Sequence, residues 1–440
     1  MKMIKRICGI LLFLLLFAGT AKVLRYLVND DTRAYTRIMM HQMHTSKENI
    51  DVIFLGASHV YRSLNPEIMD SELGMRTFNC GTSMQHLDGS LALIKEAEAS
   101  NRLKQVYLDM SSGIANDWAY KERKGLASTY IISDYMRPSL FKLDYLLRSG
   151  NSRHYGNSFI VARRDADKLF DIPYVKKLLA KKSQDYYRNY EWNRSEDATS
   201  YYFDRGYVVD TEVMLDRNYW KGSIFGRIGM DKVSADWLSS FREICRYCRD
   251  HDIRLTLMIV PVPESTLVSA ADYQDYEDYV LKLAEEEKLE FFDFNLCRRE
   301  FFDASDRSLF KDEGHLNVTG AEHFGPLFGS VMRGELKPSE VFYESFSDKL
   351  SDGETRVYGL YDLDKDSKDE KRKVGVITNR AGRLEYQVVS GGKVLRDFSS
   401  EGEFECTIDE LKDMTLRWRS IGENEIFELP IIYNDKKTEV

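Results

Sequence analysis

Asp51-Val-Ile-Phe-Leu-Gly56-Ala-Ser58-His59-Val-Tyr-Arg62-Ser63 is the stretch on which the reading of the chain turns. Four apolar residues without polar alternation, closed by a glycine, are the pattern of a short strand buried on both faces, as in a parallel sheet. A serine two residues past the glycine then stands on a sharp turn at the strand's carboxyl end. Outward from there the alternation continues. Pro66 to Leu73 has room for one helix, Arg76 to Gly81 (RTFNCG) reads as a second strand, Ser90 to Ala99 as a helix and Gln105 to Met110 as a third strand. The pattern lapses from Ile114 to about Asp231, a stretch rich in Tyr, Arg, Asp and Asn with hints of helix only at Asp165 to Leu179, which reads as an insertion. It resumes with a helix holding Cys245 and Cys248, a strand at Arg254 to Pro261, a helix at Tyr273 to Lys288, a strand at Glu290 to Asn295 and an amphipathic segment at Asn317 to Val331. Strands alternating with helices predict a parallel α/β sheet.

The ends of the chain differ from its middle. Lys2, Lys5 and Arg6 precede an uncharged run from Ile7 to Ala21, so residues 1–28 read as a signal anchor or a signal peptide. Cleavage after Ala21 and retention as an anchor are both open; the anchor is favoured, with the short N-terminus in the cytoplasm and the rest outside. The expected location is therefore the cell membrane as a single-pass protein, or outside the cell after cleavage. Beyond Gly353, short β-like runs separated by turn signals predict a small β-sandwich-like domain over 353–435. The charged run Asp362 to Lys373 is read as a solvated loop.

Composition bounds the function. The 440 residues carry 43% hydrophobic and 30% charged residues, which is globular usage, and a formal charge of −9 with no basic block argues against nucleic acid as a partner. Twenty-six Tyr and 23 Phe suit carbohydrate contacts as well as ordinary packing. Cys245-x-x-Cys248 recurs with Trp237, Phe241 and Ile244 at helical spacing, which places both thiols on a buried stripe rather than in a metal or redox pair. No metal and no cofactor is implied.

Three distant segments carry the chemistry, and in an open α/β sheet the carboxyl ends of strands converge on one crevice. Ser58 offers a hydroxyl. Gly81 allows close backbone approach, the requirement for an oxyanion donor. Asp312-Glu-Gly-His315-Leu-Asn-Val-Thr-Gly320 brings a carboxylate within one turn of an imidazole. His59, Arg62, Asn79 and Gln85 are weaker candidates for lining a substrate pocket.

Gly-Ala-Ser58, Gly81 and Asp312-x-x-His315 together resemble the serine, glycine and C-terminal blocks of the SGNH (GDSL-type) hydrolase superfamily over roughly Asp51 to Val331 with the insertion excluded, which implies a catalytic domain over 48–335 with an insertion at about 114–231. The N-terminal anchor and the Gly-Ala-Ser-His start are similar to its membrane-anchored branch, which includes the alginate O-acetylation proteins and the teichoic-acid D-alanine transfer protein. The resemblance implies a three-layer α/β/α, flavodoxin-like sheet, with Ser58 as nucleophile, His315 as base, Asp312 as its orienter and an acyl-enzyme intermediate. Oxyanion donors would be the amides of Ser58 and Gly81, with Asn116 as a weak third, because Gly113-Ile-Ala-Asn116-Asp117 has one residue too many for the family's Gly-x-Asn-Asp block. The expected function is an extracytoplasmic O-acyltransferase or O-acyl esterase acting on a cell-surface glycan or acylated carbohydrate. Its partners would be the cytoplasmic membrane and a membrane-bound acyl donor protein. The rival is a non-catalytic glycan-binding or assembly subunit on the same scaffold.

Overall fold

The computed structural model describes residues 2–111, 126–195, 197–214, 218–221, 233–270, 272–363 and 370–433. In chain order, the first strands are β1 (Val52–Leu55), β2 (Thr77–Asn79), β3 (Gln105–Asp109), β4 (Ser200–Asp204), β5 (Tyr207–Asp210), β6 (Tyr219–Lys221), β7 (Arg254–Ile259) and β8 (Glu290–Asp293). Five of them form one all-parallel sheet in the order β2-β1-β3-β7-β8. The order turns back on itself between β1 and β3, the position at which such sheets open a crevice at their carboxyl edge.

Side chains alternate across this sheet into two separate cores. Ile53 and Leu55 of β1 join Val106, Leu108 and Leu257 with the helices Leu87–Glu98, Ala235–Asp250 and Tyr273–Glu287. Val52 and Phe54 instead join Tyr107 and Met258 with Val60, Met69, Phe324 and Phe328 of the helices Ser58–Ser63, Pro66–Leu73 and Val318–Met332. A strand apolar at every position is what a sheet covered by helices on both faces requires. The architecture is three-layer α/β/α.

Cys245 and Cys248 lie inside Ala235–Asp250 and are buried, and burial pushes both thiols up to about 12. The insertion is far more helical than its composition foretold. Leu126–Ser133, Leu140–Ser149, Tyr155–Phe159, Val161–Phe170, Ile172–Lys182 and Asp185–Arg188 are short helical pieces. Their signals were scattered because each buries only a few residues, among them Tyr145, Leu146 and Leu178. β4 and β5 follow as an antiparallel hairpin whose turn docks on β2, Arg205 O accepting from Asn79 N.

β9 (Val357–Asp362), β10 (Lys371–Thr378), β11 (Leu384–Ser390), β12 (Lys393–Ser399), β13 (Glu403–Thr407), β14 (Met414–Ser420) and β15 (Phe427–Pro430) complete the molecule. They form two four-stranded sheets, β13-β10-β9-β6 and β12-β11-β14-β15, sharing a core that includes Leu360, Val374, Tyr386, Val388 and Leu416. One edge strand, β6, comes from the insertion and runs parallel to β9. The charged run at 362–373 is not a solvated loop throughout. Asp362 is buried, accepting from the Tyr219 hydroxyl at 3.1 Å, and Lys371 to Lys373 belong to β10. Residues 364–369 lie outside the described part.

Candidate active site

Gly56 ends β1 at φ +153°, and a Cβ there would lie 2.5 Å from Val60 Cγ2 and 2.6 Å from Asp109 Cβ. Only glycine fits this turn, which starts the helix Ser58–Ser63 abruptly and leaves Ser58 as its first residue. On the far side of the crevice the backbone from Leu309 to Asn317 doubles back, with Lys311 N donating to His315 O and Asn317 N to Leu309 O. Asn317 caps the next helix through Gly320 N at 3.0 Å and holds Ser308 O at 2.7 Å with its other arm. A Cβ on Gly320 would stand 2.1 Å from Leu309 O, so the Leu-Asn-x-x-Gly sequence after the histidine is the geometry of a tight loop entering a helix. Thr266, from the helix that follows β7, donates its hydroxyl to Glu313 O and pins the loop to the sheet edge.

These two turns bring three groups into a line. Ser58 Oγ lies 2.7 Å from His315 Nε2, and His315 Nδ1 lies 2.7 Å from Asp312 Oδ1. The same carboxylate oxygen accepts from the backbone amides of Gly314 at 2.9 Å and His315 at 3.0 Å. Burial by itself would raise the Asp312 carboxyl. The His315 hydrogen bond and charge, the Gly314 amide and the Arg62 guanidinium outweigh it and hold the group well below the usual carboxylate range. An ionised Asp312 only accepts, so the proton of the imidazole sits on Nδ1 and Nε2 presents its lone pair to the Ser58 hydroxyl. That is the arrangement of a serine primed by a base whose tautomer a carboxylate fixes. The side chains of Asp312 and His315 are 22% and 23% exposed, so the line opens to solvent at one end.

His59 lies beside this line rather than in it. Its ring is stacked on that of His315 at 5.0 Å between centroids. Burial first, then the adjacent His315 and Arg62 charges, push it down to about 3 against the pull of Asp312, so it is a neutral wall of the site at neutral pH.

Several of the remaining expectations require correction. Gly81 N–H donates 2.9 Å to Asn79 Oδ1 and is not free for an oxyanion; the glycine is needed because a Cβ would meet Tyr61 N at 2.9 Å. Asn79 is buried and gives both amide hydrogens to Val60 O and Leu64 O, each at 2.9 Å, so it seats the serine's helix instead of a ligand. Gln85 is also buried. It accepts from Gly56 N and Ser90 Oγ and donates to Cys80 O and Thr82 Oγ1, bracing the β1 turn. Arg62 is engaged with Asp210 of β5, which also accepts from Lys311 Nζ at 2.6 Å. Asn116 falls outside the described residues. Of the oxyanion set, the Ser58 amide remains, on the first turn of its helix where N–H groups have no intrahelical acceptor.

Two contributors had little sequence signal. Asp210, wholly buried, clamps Arg62 from the serine's helix and Lys311 from the histidine's loop, and so fixes the distance between them. It lies in the insertion, where no motif marks it. Asp109 ends β3 behind Gly56, with Oδ1 accepting from Ser111 Oγ and Val260 N; burial raises its carboxyl to about 7. An acidic residue at the end of a buried strand was its one clue.

No family model matches the chain and no curated protein matches it. Solved structures do. A protein described as a platelet activating factor from Streptococcus pneumoniae aligns at 12% identity over 72% of this chain and 98% of its own, with a TM-score of 0.32. A GDSL-like lipase from Bacteroides thetaiotaomicron aligns at 9% identity over 69% and 100%, TM-score 0.31. An acylhydrolase structure from Bacteroides fragilis aligns at 9% identity over 68% and 95%, TM-score 0.30. GDSL-like lipase and acylhydrolase are the names that two of these neighbours carry. The roles of individual residues rest on the geometry of this chain.

Proposed function

We propose that the protein is an extracytoplasmic serine-dependent acyl-ester enzyme that acts on a cell-surface polysaccharide. The observation that carries this reading is the unbroken line Ser58 Oγ to His315 Nε2 to Asp312, two contacts of 2.7 Å each across 257 residues of chain.

In this reading Ser58 Oγ attacks the acyl carbon of an ester while its proton passes to His315 Nε2. The imidazolium, steadied by Asp312, returns that proton to the departing alkoxide oxygen and leaves an acyl-Ser58 ester. His315 then takes the proton of an acceptor hydroxyl as that oxygen attacks the acyl carbon, and returns it to Ser58 Oγ as the acyl–Ser58 bond breaks, restoring the free serine. Water as acceptor gives an esterase and a sugar hydroxyl gives an O-acyltransferase. The negative oxygen of each tetrahedral intermediate would be met by the Ser58 amide. The helix Met3–Val28 is long and apolar enough to cross a membrane and supports a tethered site; in this reading the folded part lies outside, beside a membrane-bound acyl donor.

Fluorophosphonate labelling of the purified chain tests the nucleophile. Labelling of wild type and none of Ser58→Ala is expected, together with loss of p-nitrophenyl acetate turnover by at least about 10³-fold at an unchanged melting temperature. An unlabelled wild type would favour the glycan-binding role instead. Mass spectrometry of surface polysaccharide from a deletion strain separates the acceptors: O-acyl groups lost mean transfer, and groups accumulated mean hydrolysis.

A further inference from the structure

The apolar helix does not hang from the folded part by a loose tether. Its last turn is built into the insertion. Val28 is buried, Tyr174 donates its hydroxyl to Val28 O at 2.9 Å, and Lys182 Nζ reaches Asn29 O at 2.6 Å and Tyr26 O at 3.1 Å. Arg25 Nη1 donates to Asp134 O at 2.9 Å, and the helical piece Val161–Phe170 packs along the same end. Residues 3–20, by contrast, are exposed throughout.

Around this junction the insertion displays large apolar side chains to the outside. Leu140, Leu143 and Leu147 lie at i, i+3 and i+7 on the outer face of Leu140–Ser149, whose inner face buries Tyr145 and Leu146. Phe170 is 85% exposed, and Phe159 and Ile172 are about half exposed. Phe170 and Ile172 lie within four residues of Tyr174, the residue bonded to the end of the apolar helix. Monomeric proteins seldom leave such a set of leucines and phenylalanines uncovered. The charge is equally lopsided. From Arg137 to Ser183 the sequence carries eleven Lys and Arg against four Asp and no Glu, within a chain of net charge −9; Lys182 is buried in the junction and Arg148 and Arg164 are paired with Asp144, Glu243 and Asp134, while Arg153, Arg163, Lys176 and Lys177 are exposed. Exposed apolar rings among basic residues, continuous with the end of a membrane-length helix, are the composition of an element that lies in the membrane interface.

We propose that the helices between residues 140 and 172 form a collar that beds into the outer leaflet around the anchor, with its apolar side chains among the upper acyl carbons and its Lys and Arg side chains on anionic phospholipid headgroups. The collar fixes the orientation of the folded part above the bilayer, because the same insertion supplies Asp210 to the active-site line and β6 to the C-terminal sheet. This inference rests on the reading of Met3–Val28 as a membrane span.

The test uses the full chain reconstituted in vesicles of phosphatidylglycerol and phosphatidylcholine, with bimane on a single cysteine and doxyl-labelled lipids as quenchers. Cys8, the one exposed cysteine and a residue of the apolar helix, reports the anchor; Phe170→Cys and Leu140→Cys, each in a Cys8→Ser background, report the collar. Ile421→Cys, in the turn between β14 and β15, reports water. Strong quenching at positions 8, 140 and 170 and none at 421 is expected, with quenching at 140 and 170 falling at least twofold in pure phosphatidylcholine. Quenching at Cys8 with 140 and 170 as silent as 421 overturns the collar and leaves the anchor standing. Silence at Cys8 overturns both. Quenching at 170 that appears only when cell membrane proteins are added assigns the face to a protein and overturns the lipid occupant. Equal quenching in pure phosphatidylcholine removes the anionic headgroups from the proposal.

Discussion

Two clusters in this molecule use the same ingredients to opposite ends. At the crevice, Asp312 and His315 are about one-fifth exposed and the line they form ends at a half-buried hydroxyl. Beneath the C-terminal sheets, Glu264 is wholly buried, gripped by Arg299 Nη2 at 2.9 and 3.1 Å and by the Tyr358 hydroxyl. Lys349, also fully buried, donates 2.7 Å to Asn295 O close by, and burial lowers its amine despite the opposing Glu264 charge. Tyr358 belongs to β9 and Glu264 to the helix after β7, so this second cluster fastens the β-sandwich to the α/β layers. A carboxylate beside a nitrogen donor does chemistry only where one atom of the chain of hydrogen bonds still faces a space that a substrate can enter. Sealed, the same pair is a rivet.

The comparison can be broken by mutation at either cluster. Asp312→Asn should reduce kcat for an acyl ester by about 10⁴, the loss typical when the base's tautomer is no longer fixed, and should lower the melting temperature at neutral pH, where the ionised carboxylate contributes stability. A loss below tenfold would remove Asp312 from the line. The same variant reports on acid stability. Because the folded carboxyl is held below its ordinary 3.8, its contribution is complete above that value and is lost as pH falls through the lower folded value. Removing the carboxylate should therefore blunt the loss of stability seen in wild type below about pH 4.

Glu264→Ala should do the reverse. Stranding Arg299 beneath the sandwich costs about 3–5 kcal/mol in urea unfolding, while turnover per folded molecule at low denaturant stays within about twofold of wild type. Normal stability with lost turnover would exchange the roles assigned to the two clusters. Asp210→Asn sharpens the contrast, since this carboxylate is sealed like Glu264 yet serves the crevice. A fall in kcat of about 10- to 100-fold with a smaller change in KM is expected as Arg62 and Lys311 drift apart.

The smallest effect belongs to His59. With its folded pKa pushed down to about 3 from an ordinary 6.5, the unfolded chain binds a proton in that window that the folded chain does not. Stability should fall as pH drops from 6.5 toward 3, and His59→Asn should flatten that slope in a melting-temperature series. An unaltered slope would place the ring in water.

Local features of the sequence foretold the frame. The apolar run of β1, the glycine that ends it and the Asp-x-x-His spacing are short-range patterns, and each was found where the pattern put it. Gly81 was read as an oxyanion donor, and Asn79, Gln85 and Arg62 as lining a substrate pocket. They turn out to be spent on Asn79 Oδ1, on helix carbonyls, on the Gly56 turn and on Asp210. A polar residue near a site looks the same in sequence whether its hydrogen bonds end on a ligand or on the backbone. The helices of the insertion were equally opaque, each too short to show a clear period.

What the sequence determined by itself was everything set by neighbours along the chain: two-faced burial of the central strands, the turn closed by glycine at 56, and the apolar N-terminal helix. Only the tertiary structure decided which polar atoms were left unspent. Hydrogen-bond partners such as Asp210 and Arg62, or Tyr358 and Glu264, lie 148 and 94 residues apart, and no local energy term records a contact that exists only after the layers have packed.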